Sequence, residues 1–282
     1  MNLIISGITL GAVLLASSVR GQDWTEKTIT PVANPIFFES PFIQSEVRPL
    51  FAWHRLDRGF LGVDVDVRVY AVQLRYAVND RLAIIATKDG YIEFDPQGLP
   101  GADGWADIGL GFKYALYRDD DRQIIVTPGL TFEIPTGNQN VFQGNGSGEA
   151  NVFVSAAKGW DNLHATVNLG ARIPMDMSQE TASVRYGAML DYYTCKWFIP
   201  FATIIATTTL NSAGALPFAS EGFDLINFGS SNAAGTTQVA CGVGFRSRVH
   251  KRVDIGFAYE RGFEPANDIF KDRFTVDLVW RF

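Results

Sequence analysis

Charge, sulfur and long apolar runs are all scarce in this 282-residue sequence, and each shortage excludes a class of protein. Only 19% of residues are charged, below the roughly 25% of an ordinary soluble domain. The net charge is -6, with 24 Lys and Arg against 30 Asp and Glu, so no basic surface is on offer and nucleic acid is not an expected partner. Two cysteines, Cys195 and Cys241, are too few for a disulfide scaffold, and the simplest reading leaves them as unpaired strand residues. Mean hydropathy is only +0.05. After residues 3–16, no apolar stretch is long enough for a helix to span a bilayer.

That first stretch is itself short for a span. It is followed by small residues, Ala16-Ser17-Ser18-Val19-Arg20-Gly21, and reads as a secretory signal peptide over residues 1–21, although Met1-Asn2 lacks the usual Lys or Arg. Aromatic residues are plentiful at 13%, as is glycine at 27 residues. An exported, aromatic chain without a second span is either a secreted β-domain or a transmembrane β-barrel, whose half-apolar strands escape hydropathy averages.

Period-two alternation decides between them, because successive side chains of a strand point to opposite faces. In the last strand Phe274, Val276, Leu278, Trp280 and Phe282 share one face, while Arg273, Thr275, Asp277 and Arg281 share the other. A terminal strand closing on an aromatic residue is similar to the signal by which outer-membrane barrels are recognised, so the barrel-assembly machinery is an expected partner. The pattern recurs in Tyr70, Val72, Leu74 and Tyr76 against Gln73 and Arg75, and in Ile108, Leu110, Phe112 and Tyr114 against Asp107, Gly109, Gly111 and Lys113. A polar face rich in Gly and small residues suits the inside of a narrow barrel. Two stretches, 82–87 and 199–208, are apolar on both faces and cannot be assigned sides. Val63, Val65, Val67 and Val69 run out of phase with Tyr70 onward, which predicts a bulge there.

Connections sort by length. Short polar turns at 79–80, 118–121, 159–162, 194–196 and 249–251 alternate with long Gly/Pro/Asn-rich ones at 55–66, 90–104, 135–148, 174–181, 210–234 and 262–269. Outer-membrane barrels have short periplasmic turns, long outer loops and an even strand number. The expectation is an all-β, single up-and-down antiparallel barrel of about 12 strands over residues 46–282, in contact with the lipid of a Gram-negative outer membrane. Residues 22–45, with Pro31, Pro35 and Pro41, precede it as a periplasmic leader or a segment tucked into the barrel mouth.

Val69-Tyr70-Ala71-Val72-Gln73-Leu74-Arg75-Tyr76, the strand around Asp107-Ile108-Gly109-Leu110-Gly111-Phe112-Lys113-Tyr114, and Pro128-Gly129-Leu130-Thr131-Phe132-Glu133-Ile134-Pro135-Thr136-Gly137 resemble the outer-membrane barrels grouped with the meta-pathway of phenol degradation. The resemblance covers about residues 46–282. It implies a barrel and a channel or uptake role for small apolar or aromatic molecules, and it carries over no catalytic or ligand residue.

Parity assigns the lumen to Arg75, Lys113, Arg172, Arg185, Arg246 and Arg252, with Asp107, Glu133, Glu149, Asp191, Asp254, Glu260 and Asp277, and His164 beside Thr166 and Asn168. Both signs occur in comparable number. They line a narrow polar pore or pair into a salt-bridged interior. The three histidines, His54, His164 and His250, have no activated nucleophile or ligand-spaced partners beside them, so neither catalysis, nor a metal, nor a cofactor is expected. Asp64 and Asp66, and Asp119-Asp120-Asp121, read as solvated loop carboxylates. Passage of a small molecule is the first functional reading. The alternative is a structural or adhesive barrel with a closed lumen, whose outer loops, above all 210–234, bind partners.

Overall fold

A computed structural model describes residues 24–58, 61–263 and 269–282. The expected signal segment, 1–21, lies outside the described residues. The chain forms one closed antiparallel ring of twelve strands. They are β1 Glu46–Leu56, β2 Val65–Ala77, β3 in two halves (Leu82–Lys88 and Tyr91–Pro96), and β4 in three pieces (Ala102–Trp105, Ile108–Tyr114 and Tyr117–Asp119). They continue as β5 Ile124–Ile134, β6 Glu149–Trp160, β7 Leu163–Pro174, β8 Ser183–Tyr192, β9 Ile199–Thr209, β10 Thr237–His250, β11 Val253–Gly262 and β12 Phe270–Arg281. Each strand pairs with its sequence neighbours. β1 closes the ring by pairing β2 on one side, from Glu46↔Arg75 to Leu56↔Val65, and β12 on the other, from Glu46↔Arg281 to Leu56↔Phe270. Closure leaves no open edge, the condition for a sheet to sit in hydrocarbon.

The outer wall is apolar. Val72, Leu74, Ile84, Leu110, Phe112, Val154, Val167, Leu169, Ile204, Val243 and Val276 are exposed there. Near the short turns Tyr76, Tyr114, Tyr117, Trp160, Tyr192, Trp197, Trp280 and Phe282 form an exposed aromatic belt, the girdle of a lipid interface. Of the C-terminal face, Val276, Leu278, Trp280 and Phe282 are exposed and Phe274 is half-buried.

Three expectations about strands change. No bulge interrupts β2, whose ladder with β1 runs without a shift. Val65, Val67 and Val69 point inward with Gln73 and Arg75, and the hydropathy phase flips because the upper lumen is apolar. The supposed loop 90–104 is mostly strand: Tyr91–Pro96 pairs both β2 and Ala102–Trp105. In β3 and β9, Ala83, Ile85, Ile199, Phe201 and Ile205 face inward, where apolar chain inside the barrel covers them.

Tryptophans offer a test. Trp105, Trp160, Trp197 and Trp280 are more than half exposed on the outer wall, whereas Trp24 is buried. In brominated-lipid vesicles most of the tryptophan fluorescence should be quenched, with the residue of emission coming from the interior. Emission equal to that in unbrominated lipid would refute a lipid-facing wall.

Candidate functional site

The lumen is filled from both ends. Residues 24–45 lie inside the barrel instead of ahead of it, and from Thr28 to Phe42 all but Ile36 are buried. This segment enters at the short-turn end, where Trp24 donates to Asp120 at 3.2 Å and Lys27 to Asn162 at 2.8 Å. Its apex, Pro35 to Phe37, reaches deep into the bore, and it returns to the same end, where the Ser45 hydroxyl accepts from Ala77 N at 3.0 Å.

Its chemistry explains what the wall supplies. A proline-rich, extended segment makes few internal hydrogen bonds, and its buried carbonyls need outside donors. Arg48 donates to Pro31 O at 2.8 Å, Gln73 to Pro35 O at 2.7 Å, and Thr127 to Pro41 O at 2.6 Å. Arg246 donates to Thr30 O at 3.0 Å and Arg248 to Thr28 O at 3.0 Å. Phe37 lies 3.3 Å from the Arg185 guanidinium and 5.2 Å from that of Arg172, measured to the ring centroid. At the centre, Glu39 accepts three bonds from Arg75, at 2.9, 3.2 and 2.6 Å, and one from Lys113 at 2.7 Å. Burial would raise the Glu39 pKa, but Arg75 and Lys113 outweigh it and hold the carboxyl at about 2.

From the other end, the middle of the long 210–236 connection folds inward, with residues 220–230 all buried. Asp224 accepts from Arg273 at 2.7 Å, Phe223 stacks on Phe270 at 4.9 Å, and the Leu225 carbonyl accepts from Gln143 at 3.2 Å. Both Glu221 oxygens accept from the backbone of Phe228 and Ser230. Leu225, Ile226 and Phe228 pack with Val65, Val67, Val69 and Ile36, so the two inserts meet in mid-lumen. The centre of this connection is therefore withdrawn from the surface on which the partner-binding alternative relied.

The fourteen lumen residues named from parity are all buried except Arg252, which lies exposed in the turn between β10 and β11. Its parity was carried past the point where the strand ends. Most of the others pair: Arg172 with Glu149 at 2.6 Å, Arg246 with Asp277 at 2.9 Å, Lys88 with Glu133, and His164 Nδ1 with Asp191 at 2.7 Å. Asp107 accepts backbone N–H groups of Gly137 and Gly144 at 2.7 and 2.9 Å. Asp254 serves both Arg248 and Arg281. The named lumen residues left out Arg48, which shares Asp277, and Arg273, which parity had set on the polar face of the last strand and which bridges Glu260 and Asp224. Their alternation with Leu50 and Thr275 was available as a signal, but the ligands on the inserts were not.

No group of three potential metal ligands occurs among the described residues. Among the described residues, His164 bonds to Asp191 and the Asp161 carbonyl. Both cysteines are free thiols.

One place in the wall is thin. The β2–β3 ladder stops between Leu74↔Ala86 and Tyr70↔Tyr91. There Gly90 adopts φ +116°, and a Cβ would fall 2.4 Å from the Tyr70 carbonyl. On the lipid side a groove of about 640 Å³ is lined by Leu50, Ala71, Val72, Ala106 and Ile108. On the lumen side a void of about 30 Å³, enough for about one water, shares Leu50, Ala71, Asp89 and Ala106 with it and touches Ile36 and Leu225.

With this geometry in view, the comparisons are informative. No protein-family model matches the chain, and no curated protein does. Among solved structures, the chain is similar to the COG4313 outer membrane channel from Pseudomonas putida F1, at 15% identity and a TM-score of 0.61, covering 90% of this chain and all of that one. It is also similar to the NanC porin, at 9% identity and a TM-score of 0.55, covering 84% of this chain and all of the porin. The chain folds as an outer-membrane β-barrel. Its apolar, girdled wall belongs in the outer membrane of a Gram-negative cell.

Two substitutions test the lumen. Glu39→Gln removes the carboxylate that Arg75 and Lys113 share, leaving Arg75 only Glu46 at 3.4 Å, and the urea unfolding midpoint should fall by the equivalent of about 3 kcal/mol. Glu180, in the connection after β7, is raised to about 7 by burial and by Glu149. Its charged form therefore costs stability above pH 7, a cost that shrinks as pH falls toward the ordinary value of 4.5. Glu180→Gln should stabilise the protein against heat at pH 8 and make no difference at pH 4.5.

Proposed function

We propose that this barrel passes small apolar or aromatic molecules across the outer membrane and performs no chemistry on them. The observation that carries the reading is the thinned wall at Asp89–Gly90, where an apolar groove facing lipid and a void facing the inserts share four lining residues. A polar solute would need a wet axial bore. Here that axis is occupied by two inserts bonded to the wall, while the thinned wall offers a lateral path lined by Leu50, Ala71, Val72, Ala106 and Ile108 beside Asp89. The likeness of residues 69–76, 103–114 and 128–137 to barrels grouped with phenol degradation supports the same solute class, and the channel and porin folds above support passage in general.

By the rule that periplasmic turns are short, the N-terminal segment enters from the periplasm and the 210–236 connection from outside. A solute crossing the outer leaflet would meet the groove, pass Ala71 and Ala106, and reach the junction of the two inserts. Withdrawal of the N-terminal segment toward the periplasm would release it.

A structural barrel with a permanently closed lumen is the competing reading, and the filled bore favours it. Uptake separates the two. In intact Gram-negative cells, expression should speed the entry of N-phenylnaphthylamine severalfold, read as its fluorescence increase. Ala71→Trp, which puts a large side chain in the thin wall, should return entry to the level of cells without the protein. Equal entry with and without the barrel would leave only the structural reading.

A further inference from the structure

A large open cavity lies at the short-turn mouth of the barrel, away from the thinned wall. It occupies about 860 Å³ at the short-turn end, between the N-terminal segment and the turns. Its lining contradicts the charge of the chain. The sequence carries a net -6, yet Arg118, Lys196, Arg248, Lys251 and Arg281 border this cavity against one carboxylate, Glu26. Of the carboxylates that answer these cations, Asp254 lies buried behind the surface and Asp120 stands exposed beside Arg118. Buried Asp254 is shared by Arg248, at 3.2 Å, and Arg281, at 2.7 Å. Asp120 meets Arg118 at 2.9 Å. Among the described residues, Lys196 and Lys251 make no ion pair, and the Lys196 ammonium rests over the Trp197 ring at 4.7 Å from its centroid.

From this arrangement we propose that the short-turn mouth is a binding site for a small multivalent anion bearing phosphate or carboxylate groups. The positive excess is concentrated where low-dielectric walls focus the field, which raises the local concentration of anions. Arg248 and Arg281 are held in place by Asp254, so their remaining donors are organised in advance of a ligand. Thr30 also borders the cavity, and its hydroxyl, which accepts from Gln44 at 3.4 Å, keeps its own proton to donate beside the cations. The two lysines, flexible and unpaired, close over an anion of variable shape. The volume admits a ligand of several heavy groups and its water. The site is separate from the wall groove and shares no lining residue with it. It therefore stands whether or not the barrel passes solutes.

Isothermal titration of the full protein in a neutral detergent, with tripolyphosphate and with citrate as the two probes, tests the site. At least one probe should bind saturably at a single site, with an affinity that falls steadily as NaCl is raised. The double variant Lys196→Gln/Lys251→Gln should weaken that binding about tenfold or more, as expected for the loss of two charge-assisted contacts. Lys158→Gln is the control: this lysine lies at the same end but outside the cavity, with its ammonium bonded to the Gly159 carbonyl at 2.8 Å. It should bind as the unsubstituted protein does. Heat-shifted migration on gels confirms that each variant is a folded barrel. Failure of both probes to saturate, or equal weakening by Lys158→Gln, overturns the proposal.

Discussion

A guanidinium or ammonium taken out of water must find acceptors, and in this barrel the acceptors come as much from the chain inside the ring as from the ring itself. Glu39 answers Arg75 and Lys113, Asp224 answers Arg273, and the carbonyls of Pro31, Thr30 and Thr28 answer Arg48, Arg246 and Arg248. Remove the inserts and several buried donors lose their partners at once. The inserts in turn, one proline-rich and the other an irregular loop, could not lie in a dry interior without those donors. Neither half is self-sufficient, and the closed lumen is their mutual solution.

The wall follows from a separate requirement. Backbone groups facing hydrocarbon cannot borrow water, and the ring meets this by pairing β1 with both β2 and β12. The exception is the short stretch around Asp89 and Gly90, where β3 leaves β2. There the Asp89 carboxylate accepts from Val72 N at 3.0 Å and the Gly90 carbonyl from Ala106 N at 2.8 Å. A side chain and a neighbouring strand thus replace the missing ladder, so the wall thins without leaving these groups bare. This is how an apolar groove and an interior void come to share residues.

Alternation makes the barrel legible in the sequence, because the lipid face imposes a strict rule on every second residue. What it could not disclose was the content of the bore. The stretches 82–87 and 199–208 resisted assignment because their inward residues, Ile85, Phe201 and Ile205 among them, pack against Ile43, Ile29, Val32 and Phe38 of the N-terminal segment. The phase change after Val69 had the same origin, since Val65 and Val67 meet Leu225 and Phe228. In each case the departure from pattern recorded an unseen partner instead of a kink. Arg252 misled for the opposite reason: parity has no meaning in a turn. Glu39 and Asp224, the two carboxylates that anchor the inserts, lie in segments without periodicity, and nothing in their surroundings marked them as buried.

The N-terminal segment goes in and comes out through the same opening. Its apex near Pro35 therefore forms a bight, and no part of it is threaded through the closed ring of strands. Removing it is a matter of topology-free retreat: the loop can back out while every rung of the β1–β12 seam stays intact. Withdrawal of the segment therefore costs buried wall cations such as Arg75 and Lys113 their partners, but it requires no opening of the wall.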